Sequence, residues 1–276
     1  MTQIRVALVQ TDPGADKATN VETALALVAE AAAAGADVVT LPETFHFRGS
    51  SEERRASAEP VPGPLSETLS AAAKRHGVYL LGGSYNELHT DDEDQRTFNT
   101  SQLFGPDGQL LATYRKIHLF DVVIEGRMKA MESSRNRPGD RAVVADTSFG
   151  RVGLTVCYDL RFPELYRVLA QAGAGLVFAP SNFSERTGRD HWETLIRCRA
   201  IENGMYMVAP ATMGNGGAGF EAYGRSMIVD PWGTVVACAP DTVGVTIATI
   251  DMARVDAVRA SIPSLQHLRP DAYNVR

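Results

Sequence analysis

Residues 152–164 have the sequence VGLTVCYDLRFPE, an apolar run that ends at Cys157 and is followed by a charged turn. A short apolar run before a helical segment is typical of a buried strand in an α/β fold. A thiol at the carboxyl end of such a strand faces a crevice, and a helix N-terminus favours its thiolate form. Taken alone, however, a cysteine that closes an apolar strand is more often a small buried hydrophobic residue. This stretch therefore predicts an α/β fold and leaves the role of Cys157 open.

The same alternation of strands and helices extends in both directions along the chain. Buried strands are predicted at residues 4–10, 38–41, 78–82, 151–156, 176–179 and 206–211, and helices at 17–34, 65–76, 162–172 and 190–203. Turn sequences predict hairpins at 97–115 and 226–238, followed by a strand at 245–250 and a helix at 253–260. Short buried strands separated by helices indicate parallel pairing with the helices outside. Hairpins mixed with these strand–helix–strand connections suggest a four-layer α-β-β-α sandwich. The length of the chain favours one domain over residues 1–276.

The composition excludes several classes of partner and site. The 276 residues carry a net charge of −6 without a Lys/Arg cluster, which argues against binding to nucleic acid or to an anionic membrane surface. Three cysteines without a C-x-x-C spacing favour neither a disulfide framework nor a zinc ribbon. Cys198 lies within a predicted helix and Cys238 ends a predicted hairpin strand, so both are expected to be structural. No signal-peptide pattern begins the sequence, and charges interrupt its most apolar stretch. We therefore expect a cytoplasmic protein that does not span a membrane.

Two motifs favour loops over binding sites. Residues 214–219 match G-x-G-x-x-G, but a strand follows where a dinucleotide-binding motif needs a helix. The acidic run at 91–94 is expected to be a solvated loop. The six histidines lack the paired helical spacing of a zinc site, so neither a metal nor an organic cofactor is expected.

Three reactive side chains follow apolar strands: Glu43, Lys116 and Cys157. Considered separately, Glu43 and Lys116 are more commonly a surface carboxylate and a solvated lysine. If the three strand ends converge, however, they bring a base, a cation and a thiol into one pocket. That combination is sufficient for acyl transfer.

The segments around these residues resemble the nitrilase superfamily of carbon–nitrogen hydrolases. Residues 41–43 (LPE), 114–119 (YRKIHL) and 152–165 (VGLTVCYDLRFPEL) are similar to the glutamate, lysine and nucleophile blocks of that superfamily, and the similarity continues through 190–193, 199–203 and 229–234. The resemblance implies a Glu43–Lys116–Cys157 catalytic triad on an α-β-β-α sandwich. It also implies a homodimer or a higher homo-oligomer, and we expect the tail at residues 263–276 to take part in the oligomer contacts.

Within the superfamily, residues 115–121 (RKIHLFD), 131–133 (MES) and 157–164 (CYDLRFPE) look most like the Nit-type branch, which includes ω-amidase and deaminated-glutathione amidase. This resemblance implies that the carboxamide of a small carboxylate-bearing molecule is hydrolysed through a thioester, releasing ammonia. Glu132 matches a second active-site glutamate that is common in these enzymes. Its expected function is to position the amide nitrogen of the substrate or to adjust the charge balance of the Glu43–Lys116 pair. The alternatives are an N-carbamoyl amidohydrolase, a nitrilase and, in a different class, a non-catalytic interaction scaffold.

Three further residues are predicted to bind substrate. The main-chain N–H of Tyr158 is expected to stabilise the oxyanion together with Lys116. Arg161 either binds a substrate carboxylate or forms an ion pair with Asp159 or Glu164 that fixes the turn. Asn182 either lines the pocket or belongs to an ordinary loop.

Overall fold

The computed structural model describes residues 2–89, 94–124, 128–216 and 221–273. The acidic run at 91–94 and the glycine-rich loop at 214–219 therefore lie largely outside the described residues. The strands, in chain order, are β1 (Gln3–Gln10), β2 (Val38–Thr40), β3 (Tyr79–Leu81), β4 (Tyr85–Glu87), β5 (Phe98–Phe104), β6 (Leu110–Arg115), β7 (Asp121–Ile124), β8 (Met128–Met131), β9 (Val143–Thr147), β10 (Gly150–Leu154), β11 (Leu176–Phe178), β12 (Tyr206–Ala209), β13 (Met213–Gly214), β14 (Ala222–Tyr223), β15 (Met227–Val229), β16 (Val235–Cys238) and β17 (Gly244–Asp251). The α-helices are α1 (Lys17–Ala33), α2 (Ser51–Ala56), α3 (Pro64–His76), α4 (Pro163–Gln171), α5 (Glu185–Asn203) and α6 (Ala253–Ser261).

One sheet has the order β17-β1-β2-β3-β5-β4, with β6 paired to β5. Its strands β1, β2 and β3 are parallel, as the sequence predicts. Alternate residues of β1 lie in different layers because successive side chains of a strand point to opposite faces. Val6 and Leu8 belong to the core shared with the second sheet, whereas Ala7 and Val9 pack with buried residues of α1 and α3. The helices therefore cover the outer face of this sheet.

The second sheet has the order β16-β15-β12-β11-β10-β9 and a parallel centre of β10, β11 and β12. Helix α4 approaches β10 closely, since a Cβ on Gly153 would lie 3.1 Å from Leu169. Trp192 and Ile196 of α5 join the same buried core. The predicted four-layer α-β-β-α sandwich is confirmed.

The structure departs from the predicted elements where tertiary contacts override local sequence. Helix α5 begins at Glu185, five residues before the predicted start, with Ser184 as its N-cap. Gly188, a poor helix former, packs so closely on the ring of Tyr223 that a Cβ would lie 2.3 Å from it. The short elements β4, β7, β8, β9 and α2 were not predicted, because they are too short or too polar to show a clear periodicity. None of the described helices combines the length and apolarity needed to span a membrane.

Candidate active site

Glu43 follows β2 on a sharp bend. Thr44 has a φ of 54°, in the left-handed region, and its main-chain N–H donates to the carbonyl of Ser84 at 2.9 Å. The Glu43 carboxylate is buried and accepts two hydrogen bonds besides the one from Lys116. One comes from Nδ2 of Asn99 to Oε1 at 2.8 Å and the other from the main-chain N–H of Asn182 to Oε2 at 2.6 Å. These donors fix the orientation of the carboxylate.

Lys116 follows β6 and lies between two carboxylates. Its Nζ is 3.3 Å from Oε1 of Glu43 and 2.9 Å from Oε2 of Glu132. The three residues are only 2%, 4% and 5% exposed, so water screens them little. Burial alone lowers the pKa of Lys116, but the two carboxylates outweigh it and raise this pKa well above 10.5. Lys116 is therefore an ammonium ion at neutral pH.

Glu132 lies in a short 3₁₀ turn, Glu132–Ser134, directly after β8. Its Oε2 also accepts from the main-chain N–H of Phe120 at 2.7 Å, and its Oε1 from Nδ2 of Asn136 at 3.3 Å. Burial raises the pKa of Glu132, but the charge and hydrogen bond of Lys116, the Phe120 N–H and the charge of Arg135 more than compensate and hold this pKa below 4.5. Glu132 is consequently a carboxylate that pairs with the Lys116 ammonium, as Glu43 also does, at the shorter of the two distances.

Cys157 opens a second 3₁₀ turn, Cys157–Arg161, at the end of β10. Its φ of 48° is strained for a non-glycine residue, and its main-chain N–H donates to the carbonyl of Pro180 at 3.0 Å. Burial and then the Glu43 carboxylate raise the pKa of the thiol well above 9.0, against the opposing effects of Lys116 and of the Asn182 main-chain N–H. The sequence favoured a thiolate at a helix N-terminus. The structure favours a neutral thiol beside a carboxylate that can accept its proton.

Asp159 joins the turn that carries Cys157 to the segment that carries Lys116, a function that the sequence did not predict. This fully buried carboxylate accepts from the main-chain N–H of Val156 at 2.8 Å and from the hydroxyl of Tyr114 at 2.7 Å. Its other oxygen accepts from the main-chain N–H of His118 at 3.1 Å and lies 2.8 Å from Nδ1 of the same residue. Asp159 thereby couples the positions of the thiol and the ammonium.

Arg161 lies at the edge of the site among aromatic rings. Its guanidinium carbon is 5.9 Å from the centroid of Tyr158 and 5.5 Å from that of Phe183, and both of its Nη atoms are 3.3 Å from Nδ1 of His191. Within the described residues it forms no ion pair with Asp159 or Glu164, and the hydrogen bonds of Asp159 go to other groups. The alternative in which such an ion pair fixes the turn is therefore not supported.

Asn182 follows β11, where its main chain already contacts Glu43. Its Nδ2 is 3.4 Å from Oγ1 of Thr44, and its Oδ1 accepts from Oγ1 of Thr212 at 2.8 Å. These contacts keep the loop against Glu43 and leave Asn182 on the wall of the site.

A cavity of about 880 Å³ contains this arrangement. All seven side chains predicted from the sequence line it: Glu43, Lys116, Glu132, Cys157, Tyr158, Arg161 and Asn182. Among the described residues lining the cavity, six are basic and four are acidic, although the whole chain carries a net charge of −6. Arg54 and Arg135 also line it and were not predicted, since neither lies in a recognised block. Across residues 2–89, 94–124, 128–216 and 221–273, no group of three or more His, Cys, Asp or Glu side chains is placed to hold a metal ion.

Comparisons with known proteins agree with this architecture. A family model described as carbon–nitrogen hydrolase matches residues 5–260. The chain is 39% identical over 275 residues to ω-amidase NIT2 of Homo sapiens, covering 100% of this chain and 98% of that protein. Its structure is similar to the NitFhit protein of C. elegans, with a TM-score of 0.90 and 36% identity over 99% of this chain and 67% of the other. It is also similar to Saccharomyces cerevisiae Nit3, a member of branch 10 of the nitrilase superfamily, with a TM-score of 0.85 and 33% identity over 95% of each chain. The matched residues include every segment that contributes to the cavity.

Proposed function

The chain belongs to the carbon–nitrogen hydrolase family and is an amidase, and on that premise we propose that it hydrolyses the carboxamide of a small carboxylate-bearing molecule through a thioester on Cys157. The observation that carries this proposal is the Lys116 ammonium held between two buried carboxylates in the cavity that contains the Cys157 thiol. The similarity to a human ω-amidase over the full chain supports the same class of substrate.

The first half of the reaction forms the thioester. Glu43 takes the proton of the Cys157 thiol as the sulfur attacks the carboxamide carbon, and the carbonyl electrons move to oxygen. The Lys116 ammonium and the main-chain N–H of Tyr158 stabilise this oxyanion. Tyr158 is the second residue of its 3₁₀ turn, so no earlier turn residue can accept from its N–H. The oxyanion then re-forms the carbonyl as the C–N bond breaks, and Glu43 returns its proton to the departing nitrogen, which leaves as ammonia.

The second half releases the acid. Glu43 takes a proton from water as the water oxygen attacks the thioester carbon, and Lys116 and Tyr158 again stabilise the oxyanion. The C–S bond breaks, the sulfur recovers the proton from Glu43, and the free carboxylic acid leaves. In both halves Glu132 keeps Lys116 charged and in place. The contacts of Glu132 support this adjusting function more directly than a contact with the amide nitrogen.

Arg161 is proposed to bind the substrate carboxylate, because its guanidinium lies on the cavity wall and has no ion-pair partner in the described part of the chain. Asn182 is proposed to form the wall beside Glu43. We also propose that residues 1–276 form one domain, that the protein is cytoplasmic and that it forms a homo-oligomer. Exposed apolar side chains such as Trp232 (54% exposed) and Ile262, which precedes the tail at residues 263–276, support the last point, and light scattering tests it.

Ammonia release from a defined set of substrates tests the proposed class. We expect turnover of glutaramate, a dicarboxylic acid monoamide, and little turnover of N-carbamoyl amino acids or nitriles. Carbon dioxide released from an N-carbamoyl substrate, or faster turnover of a nitrile, would favour the corresponding alternative enzyme. Intact-mass measurement on a rapidly quenched reaction should detect the acyl group on Cys157.

Replacing Arg161 by glutamine should weaken recognition of the substrate carboxylate. A hydrogen-bonded charge pair contributes about 1.5–3 kcal/mol, so we expect kcat/KM for glutaramate to fall by about 10–100-fold, mostly through KM. Butyramide, which lacks the carboxylate, is the matched control and should show little change. Equal losses on both amides would show that Arg161 supports the turn rather than the substrate.

A further inference from the structure

The imidazole of His118 is one of four groups that hydrogen-bond to the Asp159 carboxylate. Its Nδ1 lies 2.8 Å from Oδ1 of Asp159, and the main-chain N–H of the same histidine donates to that oxygen at 3.1 Å. A carboxylate can only accept hydrogen bonds, so the hydrogen between Oδ1 and Nδ1 lies on the imidazole. The ring of His118 is therefore a donor to Asp159.

His118 is also the only basic side chain that pairs with Asp159 in the described part of the chain. Asp159 is fully buried, whereas the side chain of His118 is 26% exposed. Burying a carboxylate costs free energy unless the carboxylate is hydrogen-bonded and paired. The histidine ring is itself held in place, because it stacks on the ring of Phe162 with 3.6 Å between the centroids. The imidazole is thus a fixed donor that completes the bonding of Asp159.

The position of Asp159 fixes the backbone around Cys157. Its Oδ2 accepts from the main-chain N–H of Val156, the residue directly before Cys157, at 2.8 Å. Cys157 has a φ of 48°, a left-handed conformation that costs free energy for a non-glycine residue and persists only where surrounding contacts impose it. A displaced Asp159 would let this turn relax and would carry the thiol away from Glu43.

The same carboxylate fixes the segment around Lys116. It accepts from the main-chain N–H of His118, two residues after the lysine, and from the hydroxyl of Tyr114, two residues before it. Neither His118 nor Asp159 is among the described residues that line the cavity, so neither contacts the substrate. They act on the reaction through the positions of Cys157 and Lys116.

We propose that His118 is a positioning residue of the amidase. Its Nδ1–H holds the Asp159 carboxylate in the place from which it keeps the thiol of Cys157 and the ammonium of Lys116 in the reacting geometry. This inference rests on the proposed function, which makes Cys157 the nucleophile and Lys116 an oxyanion donor. Misplacing reacting groups by about 1 Å can cost about 10²-fold in rate. The hydrogen bond from His118 therefore acts on kcat rather than on KM.

Two replacements separate the donor of His118 from its ring. His118→Phe keeps a ring stacked on Phe162 and loses the donor, whereas His118→Asn loses the ring and places an amide N–H near the former position of Nδ1. We expect His118→Phe to lower kcat for glutaramate by about 10–100-fold, as for the loss of one hydrogen bond to a charged group, with little change in KM. His118→Asn should recover kcat to within about threefold of wild type. A larger loss in His118→Asn than in His118→Phe would show that ring packing dominates and would overturn the proposal.

A double-mutant cycle shows whether His118 acts through Asp159. In the Asp159→Asn background, His118→Phe should lower kcat by less than about threefold, because the carboxylate that receives the hydrogen bond is already gone. Losses that multiply would contradict the proposal, since they would show that the two residues act independently. The control is His76→Phe, the same replacement at the end of α3 and outside the cavity, which should leave kcat unchanged.

Two further measurements separate the possible outcomes. Thermal unfolding shows whether each variant is folded at the assay temperature; if Asp159→Asn is not, the comparison of His118→Phe with His118→Asn decides. Crystal structures of these two variants need no substrate, and His118→Phe should shift Sγ of Cys157 relative to Nζ of Lys116, whereas His118→Asn should not. If wild type releases no ammonia from glutaramate while this shift is present, the proposed function fails and the positioning function stands. An unshifted site in His118→Phe would overturn the positioning function.

Discussion

Replacing Cys157 by alanine should abolish ammonia release from every amide substrate. Removal of the nucleophile from a covalent hydrolase can lower kcat by about 10⁶-fold, and the nearest other reactive group, the Glu43 carboxylate, has no route to a thioester. The structure offers no substitute thiol, because neither of the other described cysteines lines the cavity. Initial rates of ammonia release, with intact-mass detection of the acyl adduct, measure the effect.

Cys198→Ala is the matched control for this variant. Cys198 lies on α5 away from the cavity, so its loss should leave both the rate and the adduct unchanged. Circular dichroism and thermal unfolding should show that Cys157→Ala remains folded, since alanine removes only one small buried atom. Substantial turnover by folded Cys157→Ala would contradict the thioester mechanism.

Replacing Lys116 by methionine should reduce both activity and stability. The variant loses one oxyanion donor, which typically costs about 10²–10³-fold in kcat. It also leaves Glu43 and Glu132 as two buried carboxylates with no cation between them. Removing one partner of a buried ion pair costs about 3–5 kcal/mol in the free energy of unfolding. Steady-state kinetics and urea unfolding at pH 7.5 measure the two effects, with Lys74→Met, an exposed lysine on α3, as the control.

The loss of stability should depend on pH in a defined direction. The pKa of Glu132 is lowered in the folded protein. The stabilisation that the Glu132 carboxylate contributes is therefore fully present above pH 4.5 and is lost as the pH falls through the pKa of the folded state. The pKa of Lys116 is raised in the folded protein. The stabilisation that the Lys116 ammonium contributes is therefore fully present below pH 10.5 and is lost as the pH rises through the pKa of the folded state. The stability gap between wild type and Lys116→Met should therefore be widest between these limits and shrink in acid. A gap that stays constant from pH 7 to pH 3 would show that packing, not charge, dominates.

The structure explains which predictions from the sequence agree with the observed fold. Glu43 and Cys157 each follow a short run of buried residues, which is a local pattern, and the structure brings both to the cavity that Lys116 also lines. The parallel order of β1, β2 and β3 follows from the helices between them. Helix α5 was predicted to start too late, because Gly188 weakens the local signal and only the packing of Tyr223 explains its presence in a helix.

The contacts that sequence reasoning missed join residues far apart in the chain. Asp159 binds Tyr114, which lies 45 positions earlier, and Asn182 contacts Glu43 across 139 positions. Arg54 and Arg135 likewise come from separate segments and were not candidates in the sequence. A charged side chain in a polar stretch has the same sequence pattern whether it is solvated or buried in a cavity.

The sequence by itself indicated the parallel strands of both large sheets, the layered sandwich and the candidate positions Glu43, Lys116 and Cys157, because local burial patterns and family blocks specify them. The tertiary structure alone decided the ionisation of the site: Cys157 as a neutral thiol, Lys116 as an ammonium ion between two carboxylates, and Arg54 as a cation without an ion-pair partner among the described residues. The physical reason is that a side chain's charge depends on how much water is excluded around it and on which charges approach it through space. Both quantities exist only once distant segments have packed together.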